Sequence, residues 1–367
     1  MIEKGKISSA QMAFMMNLTV IATGLLLVPS ATAAKAGRDL WLSPIWASSM
    51  GFLTVFIAYY LHKHYPKETI IEYSVHIVGR IPGKVIGFVY LFFFLHTTGI
   101  ILRQYGEFIA GNFLLKTPGV VIFASMTLVC AFAVRGGLEV IARTAQLFAP
   151  IVILLYLMIV LFLTPELEPT KMLPVLEEGV MPSILGAFSL STWFGEFILV
   201  AFMFPYLTDP KKGLKWGNLS VLSVLLLMII TNVTALFLFG EITADLLYPI
   251  MTAGKYIEVG EFFAHLESVI MSIWVFGAFI KISVFYYVVS LSTAQWLNLS
   301  EYKSIVLPIG FLIVLFTLWN PNLIDLKHYI GTSSVFYTFF IQVVLSILLL
   351  LIVHLRKRMR QKGGVQG

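Results

Sequence analysis

Residues 85–115 read VIGFVYLFFFLHTTGIILRQYGEFIAGNFLL, a mostly apolar run that carries two charged side chains, Arg103 and Glu107. About 20 apolar residues in a row are enough for a helix to cross the hydrocarbon core of a bilayer. Ionised groups inside such a helix are costly unless they pair with each other or face a polar cavity. This stretch therefore predicts a membrane span that turns Arg103 and Glu107 towards the interior of a helical bundle.

The composition of the whole chain favours the same class of protein. Hydrophobic residues make up 59% of its 367 residues and charged residues 12%, and the mean hydropathy is +0.90. In a soluble domain about a quarter of the residues are charged. We find no disulfide framework, catalytic fingerprint, phosphate-binding loop or convincing set of metal ligands, so we expect no enzymatic activity, no metal and no cofactor.

Apolar runs separated by charged residues, proline and glycine predict ten helices in an all-α membrane protein. Their predicted limits are 10–34, 41–62, 84–114, 118–134, 144–164, 183–206, 215–240, 261–292, 304–320 and 332–355. We expect a single transmembrane domain, 1–367, that consists of two five-helix repeats of inverted topology. The repeats are predicted at approximately 1–164 and 183–355, and a basic tail follows at 356–367.

The charged residues of the links predict the orientation in the membrane. With the N-terminus inside, the inside links hold most of the 25 lysine and arginine residues, which agrees with the positive-inside rule. The outside links are instead rich in acidic residues, namely Glu166, Glu168, Glu177, Glu178, Glu241, Asp245, Glu258 and Glu261. We therefore expect both termini in the cytoplasm, and the net charge of +6 requires no nucleic-acid partner.

The first apolar run also has features of a cleavable signal peptide. Lys4 and Lys6 precede it, and Ala31-Thr32-Ala33 resembles a cleavage site. Removal of this segment would leave nine predicted spans and would contradict the distribution of basic residues. We therefore treat it as the first span.

Two predicted spans contain glycine and small polar residues near their middle. Span 1 has ATGLLLVP at 22–29, and span 6 has SLSTWFGE at 189–196. Glycine weakens a helix, and proline lacks the N–H that would bond four residues back. A break exposes N–H groups that attract a carboxylate and carbonyl groups that attract an ammonium, so the two breaks predict a midplane site for an α-amino acid. A kink without a ligand is the alternative interpretation.

Two groups of residues are predicted to form this site. The substrate-binding group is Ala22, Thr23, Gly24, Leu25, Ser189, Thr192, Trp193, Phe194 and Gly195. The gating and charge network is His96, Arg103, Glu107, Glu196 and Lys281. His96, Arg103 and Glu107 share one stripe of span 3, while Glu196 is expected to pair with Lys281 or Arg103, to neutralise a ligand ammonium or to carry a proton. For each charged residue, a purely structural ion pair is the alternative.

Several short motifs along the chain indicate the same protein family. They are ISSAQ at 7–11, ATGLL followed by Pro29, AGRD followed by Trp41, Arg103 with Glu107, FGE at 194–196, LES at 266–268 followed by Trp274 and Lys281, LWNP at 318–321, and the basic tail. Together they resemble the spore germination permease family, over essentially the whole chain. The resemblance implies a LeuT-like bundle of the amino acid–polyamine–organocation superfamily, in which helices 1 and 6 are discontinuous.

The resemblance also carries functional expectations. It implies a B-type subunit of a germinant receptor, which binds a small neutral L-amino acid and works with A-type and C-type subunits in the spore inner membrane. In this superfamily the first position of the interrupted span 1 is usually glycine, and here it is Ala22. Lys281 would lie beside span 1, where some relatives hold a sodium ion. An amino-acid transporter, proton-coupled through Glu196 or Lys281, is the alternative function, and a scaffolding membrane protein is a third.

Overall fold

The chain folds into a helical bundle, and a computed structural model describes residues 2–254, 266–319 and 333–363. Its helices are α1 (Ser9–Ala36), α2 (Ser43–His64), α3 (Ile70–Val78), α4 (Arg80–Asn112), α5 (Gly119–Gly136), α6 (Leu138–Leu163), α7 (Met181–Gly195), α8 (Gly213–Phe239), α9 (Pro249–Ala253), α10 (Leu266–Leu297), α11 (Val306–Phe316), α12 (Ser333–Phe339) and α13 (Leu345–Gly363). Within these residues the only strand-like pairing is a single bridge between Ile7 and Leu207. The all-α prediction is confirmed.

Nine stretches of the described residues are helical, long and apolar enough to cross a membrane. They are Ser9–Asp39, Ser43–His64, Arg80–Asn112, Gly119–Gly136, Leu138–Glu166, Met181–Phe202, Pro210–Ala244, Glu267–Leu297 and Ser334–Lys357. Each corresponds to one of the ten predicted spans. The predicted span 304–320 corresponds to the shorter apolar helical stretch Lys303–Trp319. Residues 261–265, 320, 321 and 332, with the predicted outside residue Glu258, lie outside the described part of the chain.

A short helix that the sequence analysis missed, α3, occupies the predicted link 63–83. It begins with a capping box, in which the N–H of Thr69 donates to Oε2 of Glu72 at 3.0 Å. Gly79 follows α3 with φ 101°, a conformation that favours glycine, and α4 begins directly after it. At nine residues, α3 is too short for the length criterion of a span, so hydropathy alone did not detect it.

The first helix lies in the interior of the bundle. α1 packs against α6, α7, α8 and α10, and 89% of its most apolar window is buried, the largest share among the nine spans. A helix that is apolar on all sides is buried on all sides. The middle of α1 therefore faces other helices rather than lipid.

The predicted interruption of span 1 is not found in this structure. The backbone of α1 is helical from Ser9 to Ala36, with Pro29 inside the helix. The hydroxyl of Thr32 donates to the carbonyl oxygens of Val28 and Pro29 at 2.7 and 3.1 Å. In an apolar interior, each main-chain group freed by unwinding needs a new partner, which explains why one proline and one glycine do not break the helix.

The predicted interruption of span 6 is confirmed. The α-helical backbone of α7 ends at Gly195, and Glu196–Phe202 continues as a 3₁₀-helix. A second irregular segment lies between α12 and α13, where Phe340–Val344 forms a π-helix. Short 3₁₀ and π segments inside longer helices frequently mark functional positions.

The segment before α1 is tied to the residues after α7. The N–H of Ile7 donates to the carbonyl of Tyr206 at 3.1 Å, and the N–H of Thr208 donates to the carbonyl of Ile7 at 2.9 Å. The N–H and the hydroxyl of Ser9 donate to Oδ1 of Asp209 at 2.7 and 2.9 Å. These bonds couple the start of α1 to the chain that follows the 3₁₀ segment.

Candidate functional site

Lys281 on α10 and Glu196 at the end of α7 form a buried ion pair. The Nζ atom of Lys281 lies 2.7 and 2.8 Å from the two carboxylate oxygens of Glu196. The exposed fractions of the two side chains are 1% and 9%. A pair this deeply buried offsets its desolvation cost only when further hydrogen bonds satisfy its remaining donors. The predicted contact between these two residues is therefore present, and its partners show how it is tolerated.

The hydroxyl of Thr23 brings α1 to this pair. Its Oγ1 atom accepts a hydrogen bond from Nζ of Lys281 at 2.9 Å and another from Nε1 of Trp193 at 2.8 Å. Thr23 lies on α1, Trp193 on α7 and Lys281 on α10, so three helices meet at one oxygen atom. All three side chains are buried.

A polar cavity of about 70 Å³ lies against the ion pair. The predicted residues that line it are Thr23, Thr192, Trp193, Glu196 and Lys281. A water molecule requires about 10–15 Å³ of such space. The cavity thus has room for several water molecules, or for the polar groups of a small zwitterion.

Five polar residues of the cavity wall were missed by the sequence analysis. They are Thr97, Gln104, Ser334, Thr338 and Gln342. The available signal was the occurrence of uncharged polar residues within apolar spans, with Thr97 and Gln104 seven residues apart on one stripe of α4. The neighbouring stripe, which carries His96 and Arg103, was predicted to face the site instead.

The other residues predicted for substrate binding on α1 lie outside the cavity lining. Ala22 contacts α10 at Gly277, where an added Cβ would lie 3.0 Å from the Cβ of Ala22. Gly24 faces Met228 on α8. Leu25 lines a separate apolar pocket. These residues pack α1 against its neighbours, and their role in binding stays a prediction.

The same holds for the remaining predicted residues on α7. Phe194 packs against α2 at Gly51, and Gly195 faces the π segment. Ser189 is half-buried, and its carbonyl accepts a hydrogen bond from the hydroxyl of Thr192 at 3.1 Å. Among the predicted residues of α7, Thr192 and Trp193 line the cavity.

Arg103 and Glu107 form the predicted ion pair on α4. Their side chains approach to 2.6 Å and are 13% and 26% exposed. The guanidinium group lies 5.6 Å from the ring centre of Phe123 on α5. Neither residue is part of the cavity lining. The predicted charge network is therefore divided, and this pair contacts α5 rather than the cavity.

His96 also lies outside the cavity lining. It is 6% exposed, and its ring centre is 5.3 Å from that of Trp319, 5.8 Å from that of Tyr337 and 6.1 Å from that of Phe316. The predicted stripe of His96 thus faces an aromatic cluster beside α11 and α12. Helical spacing identified the stripe correctly but not the neighbour that it faces.

The fold is that of a class of solved membrane transporters. A Na⁺-coupled sialic acid symporter in a substrate-bound outward-open state superposes with a TM-score of 0.65 at 11% identity, over 93% of this chain and 80% of that chain. MhsT in complex with L-phenylalanine superposes with a TM-score of 0.60 at 13% identity, over 95% and 99%. At these identities the likeness defines the LeuT fold alone. The chain is a multi-pass membrane protein of this fold.

Sequence comparison gives the family of the chain. A family model described as "Spore germination protein" matches residues 6–323. Spore germination protein KB of Bacillus subtilis (strain 168) is 24% identical over 368 residues, which cover 98% of both chains. Spore germination protein YndE of the same organism is 29% identical over 363 residues, 96% of this chain and 98% of that protein. The chain belongs to the family of spore germination proteins, and the predicted resemblance is confirmed.

Proposed function

We propose that this protein is a B-type subunit of a germinant receptor, and that it binds a small neutral amino acid beside Glu196 and Lys281. The observation that carries the proposal is a buried pair of opposite charges on the wall of a polar cavity, at the point where α7 changes to a 3₁₀-helix. Membership of the spore germination family supports the role in germination. The LeuT fold of a structure in complex with L-phenylalanine supports the class of ligand.

The ion pair matches the two charges of an α-amino acid. The carboxylate of Glu196 accepts from the ammonium group of the ligand, while Lys281 and the hydroxyl of Thr23 hold its carboxylate. A zwitterion that inserts between the two side chains leaves the local charge balanced. A ligand with a net charge would leave one charge unpaired inside the membrane, which is costly. The arrangement therefore favours neutral amino acids.

Ligand capture is coupled to the positions of three helices. Lys281, Thr23 and Trp193 connect α10, α1 and α7 through one set of hydrogen bonds. A ligand that replaces these bonds stabilises a different arrangement of the helices and shifts the population towards it. In this proposal, A-type and C-type partner subunits in the spore inner membrane receive the change, and both termini of this chain lie in the cytoplasm.

Ligand-dependent stabilisation of the purified protein tests the binding step. We expect neutral L-amino acids, but not their D-enantiomers, to raise the melting temperature in detergent, because a ligand at 100 times its Kd adds about 2.7 kcal/mol of stability. Lys281→Met and Glu196→Gln should abolish the shift. Lys171→Met is the matched control, because Lys171 pairs with Glu168 at the surface. Absence of any amino-acid effect on the unmodified protein would refute the proposal.

Uptake into vesicles separates a receptor from a transporter. The fold is shared with a Na⁺-coupled symporter, which is the specific observation in favour of transport. After reconstitution, accumulation of a labelled L-amino acid would identify a transporter. Binding without accumulation, together with co-purification of A-type and C-type subunits from sporulating cells, is the result expected of a receptor subunit.

A further inference from the structure

Gln342 is a buried residue on the wall of the cavity. The residue is 1% exposed, and within the described part of the chain neither Oε1 nor Nε2 has a partner. Its main-chain carbonyl, by contrast, accepts from the hydroxyl of Ser346 at 2.8 Å. Buried polar groups in proteins are nearly always paired, so an unpaired amide in a residue that lines a cavity requires an explanation.

Two features of the fold place the amide there. Gln342 lies in the π segment Phe340–Val344, and a π turn rotates the side chains that follow it relative to a regular helix. On the facing α7, a Cβ at Gly195 would lie 2.1 Å from Oε1 of Gln342. Glycine at 195 therefore leaves the space that the amide occupies. The position of Gln342 depends on irregular backbone in one helix and on a missing side chain in the other.

The amide and the ion pair form two chemically different walls of one cavity. Nζ of Lys281 donates to Glu196 and Thr23, which makes the first wall charged. Gln342 contributes a neutral wall with N–H donors and a carbonyl acceptor. An amino acid that places its ammonium and carboxylate on the charged wall directs its third substituent, the side chain, elsewhere in the cavity.

We propose that Gln342 determines specificity by hydrogen-bonding an uncharged polar side chain, a hydroxyl or a carboxamide, of the amino-acid ligand. Such a side chain satisfies both the donor and the acceptor of the amide. An apolar side chain leaves the amide unpaired, and a site built for a hydrogen bond rejects the analogue that lacks it. The proposal rests on the proposed binding of an amino acid beside Glu196 and Lys281.

Pairs of ligands with similar shape test this subsite. L-Threonine is compared with L-valine, and L-asparagine with L-leucine, by titration calorimetry on the purified full chain in detergent. We expect the polar member of at least one pair to bind about tenfold more tightly. Gln342→Leu should remove that preference while amino-acid binding itself persists. Gln146→Leu is the control, since Gln146 is exposed on α6 and hydrogen-bonded to Gln11.

The possible outcomes separate this proposal from the proposed function. Equal affinities within both pairs for the unmodified protein, or an unchanged preference in Gln342→Leu, would overturn the subsite and leave amino-acid binding intact. No binding of any of the four amino acids would overturn both. If Gln342→Leu does not fold, Gln342→Asn and Gln342→Met provide the same comparison. Gln342→Asn retains an amide and should keep the preference for the polar ligand, whereas Gln342→Met should lose it.

Discussion

The Nζ atom of Lys281 lies 2.7 Å from Oε1 of Glu196, and this contact joins α10 to the junction between α7 and its 3₁₀ continuation. Both side chains are nearly inaccessible. The two charges therefore stabilise each other, and the hydroxyl of Thr23 also accepts a hydrogen bond from Nζ of Lys281. The stability of the bundle and the chemistry of the cavity depend on the same contact.

Removal of one member of this pair is expected to be more harmful than removal of both. Lys281→Met or Glu196→Gln alone should lower the free energy of unfolding by about 3–5 kcal/mol, because the remaining charged side chain is then buried without its partner. The double variant should regain most of that loss. The measurement is a double-mutant cycle of denaturation in detergent. The exposed pair of Arg143 and Glu139 on α6 is the control and should show a coupling of about 1 kcal/mol or less.

The hydroxyl of Thr23 is predicted to be required as an acceptor. Thr23→Val leaves Lys281 and Trp193 each without one partner and should cost about 1–3 kcal/mol, whereas Thr23→Ser keeps the hydroxyl. Thr19→Val is a matched control on the same buried helix, because the hydroxyl of Thr19 donates only within α1. Equal melting temperatures for the two valine variants would contradict the role assigned to Thr23.

Two glycines of α4 are predicted to respond oppositely to alanine. A Cβ at Gly106 would lie 2.0 Å from the ring of Phe123, whereas nothing lies within 4 Å of one at Gly111. Gly106→Ala should therefore destabilise by about 1–3 kcal/mol through overpacking. Gly111→Ala should stabilise by about 0.5–1 kcal/mol, because alanine loses less backbone freedom on folding. Thermal unfolding of both variants checks the close packing of α4 on α5.

The contact between Gly195 and Gln342 is predicted to be a steric coupling. Gly195→Ala should destabilise the protein by about 1–3 kcal/mol, because the new methyl group collides with the amide. In a Gln342→Ala background most of that penalty should disappear, since the nearest remaining atom, the Cβ of residue 342, is 3.3 Å away. A Gly195→Ala penalty that is the same in both backgrounds would show that the π segment is placed differently.

A pH-dependent contribution to stability is predicted for Glu72 on α3, outside the membrane spans. Burial raises the pKa of Glu72 above its ordinary value, against the lowering effect of the N–H of Thr69. The folded protein thus holds this proton more tightly than the unfolded chain. Stability should be highest below the unfolded pKa of about 4.3 and should fall as the pH rises through the raised value.

Glu72→Gln tests this prediction without loss of the helix cap. Glutamine also serves at the third position of a capping box, so only the titration is removed. Between mildly acidic and neutral pH, the melting temperature of Glu72→Gln should rise relative to that of the unmodified protein as the pH rises. Parallel pH profiles for the two proteins would exclude a contribution from Glu72.

Most of the spans could be predicted because their signal is local. Within the described residues, nine of the ten predicted spans are helices of sufficient length, since a long apolar run has few alternatives in a membrane protein. α3 escaped detection because such a short helix depends on its cap and on packing against α4. The continuity of α1 was also missed, because the effect of Gly24 and Pro29 on the helix depends on the residues that pack around them.

The candidate site was predictable in its charges but not in its geometry. Opposite charges in apolar spans are stable only when they are paired, and Glu196 and Lys281 pair with each other. Helical spacing grouped His96 with Arg103, but the adjacent stripe of Gln104 faces the cavity. A rotation of one residue about the helix axis, about 100°, separates the two stripes. That rotation is set by the neighbouring helices.

By itself the sequence determined the class of the protein, because hydropathy, charge placement and family motifs are properties of the chain alone. It predicted a helical membrane bundle with buried opposite charges and membership of the spore germination proteins. The packing of the helices decided which charges meet, that α1 remains helical, and that Gln342 lies against Gly195 on the wall of the cavity. Each of these depends on the packing of helices that are distant in sequence, and spacing along one helix carries no information about that packing.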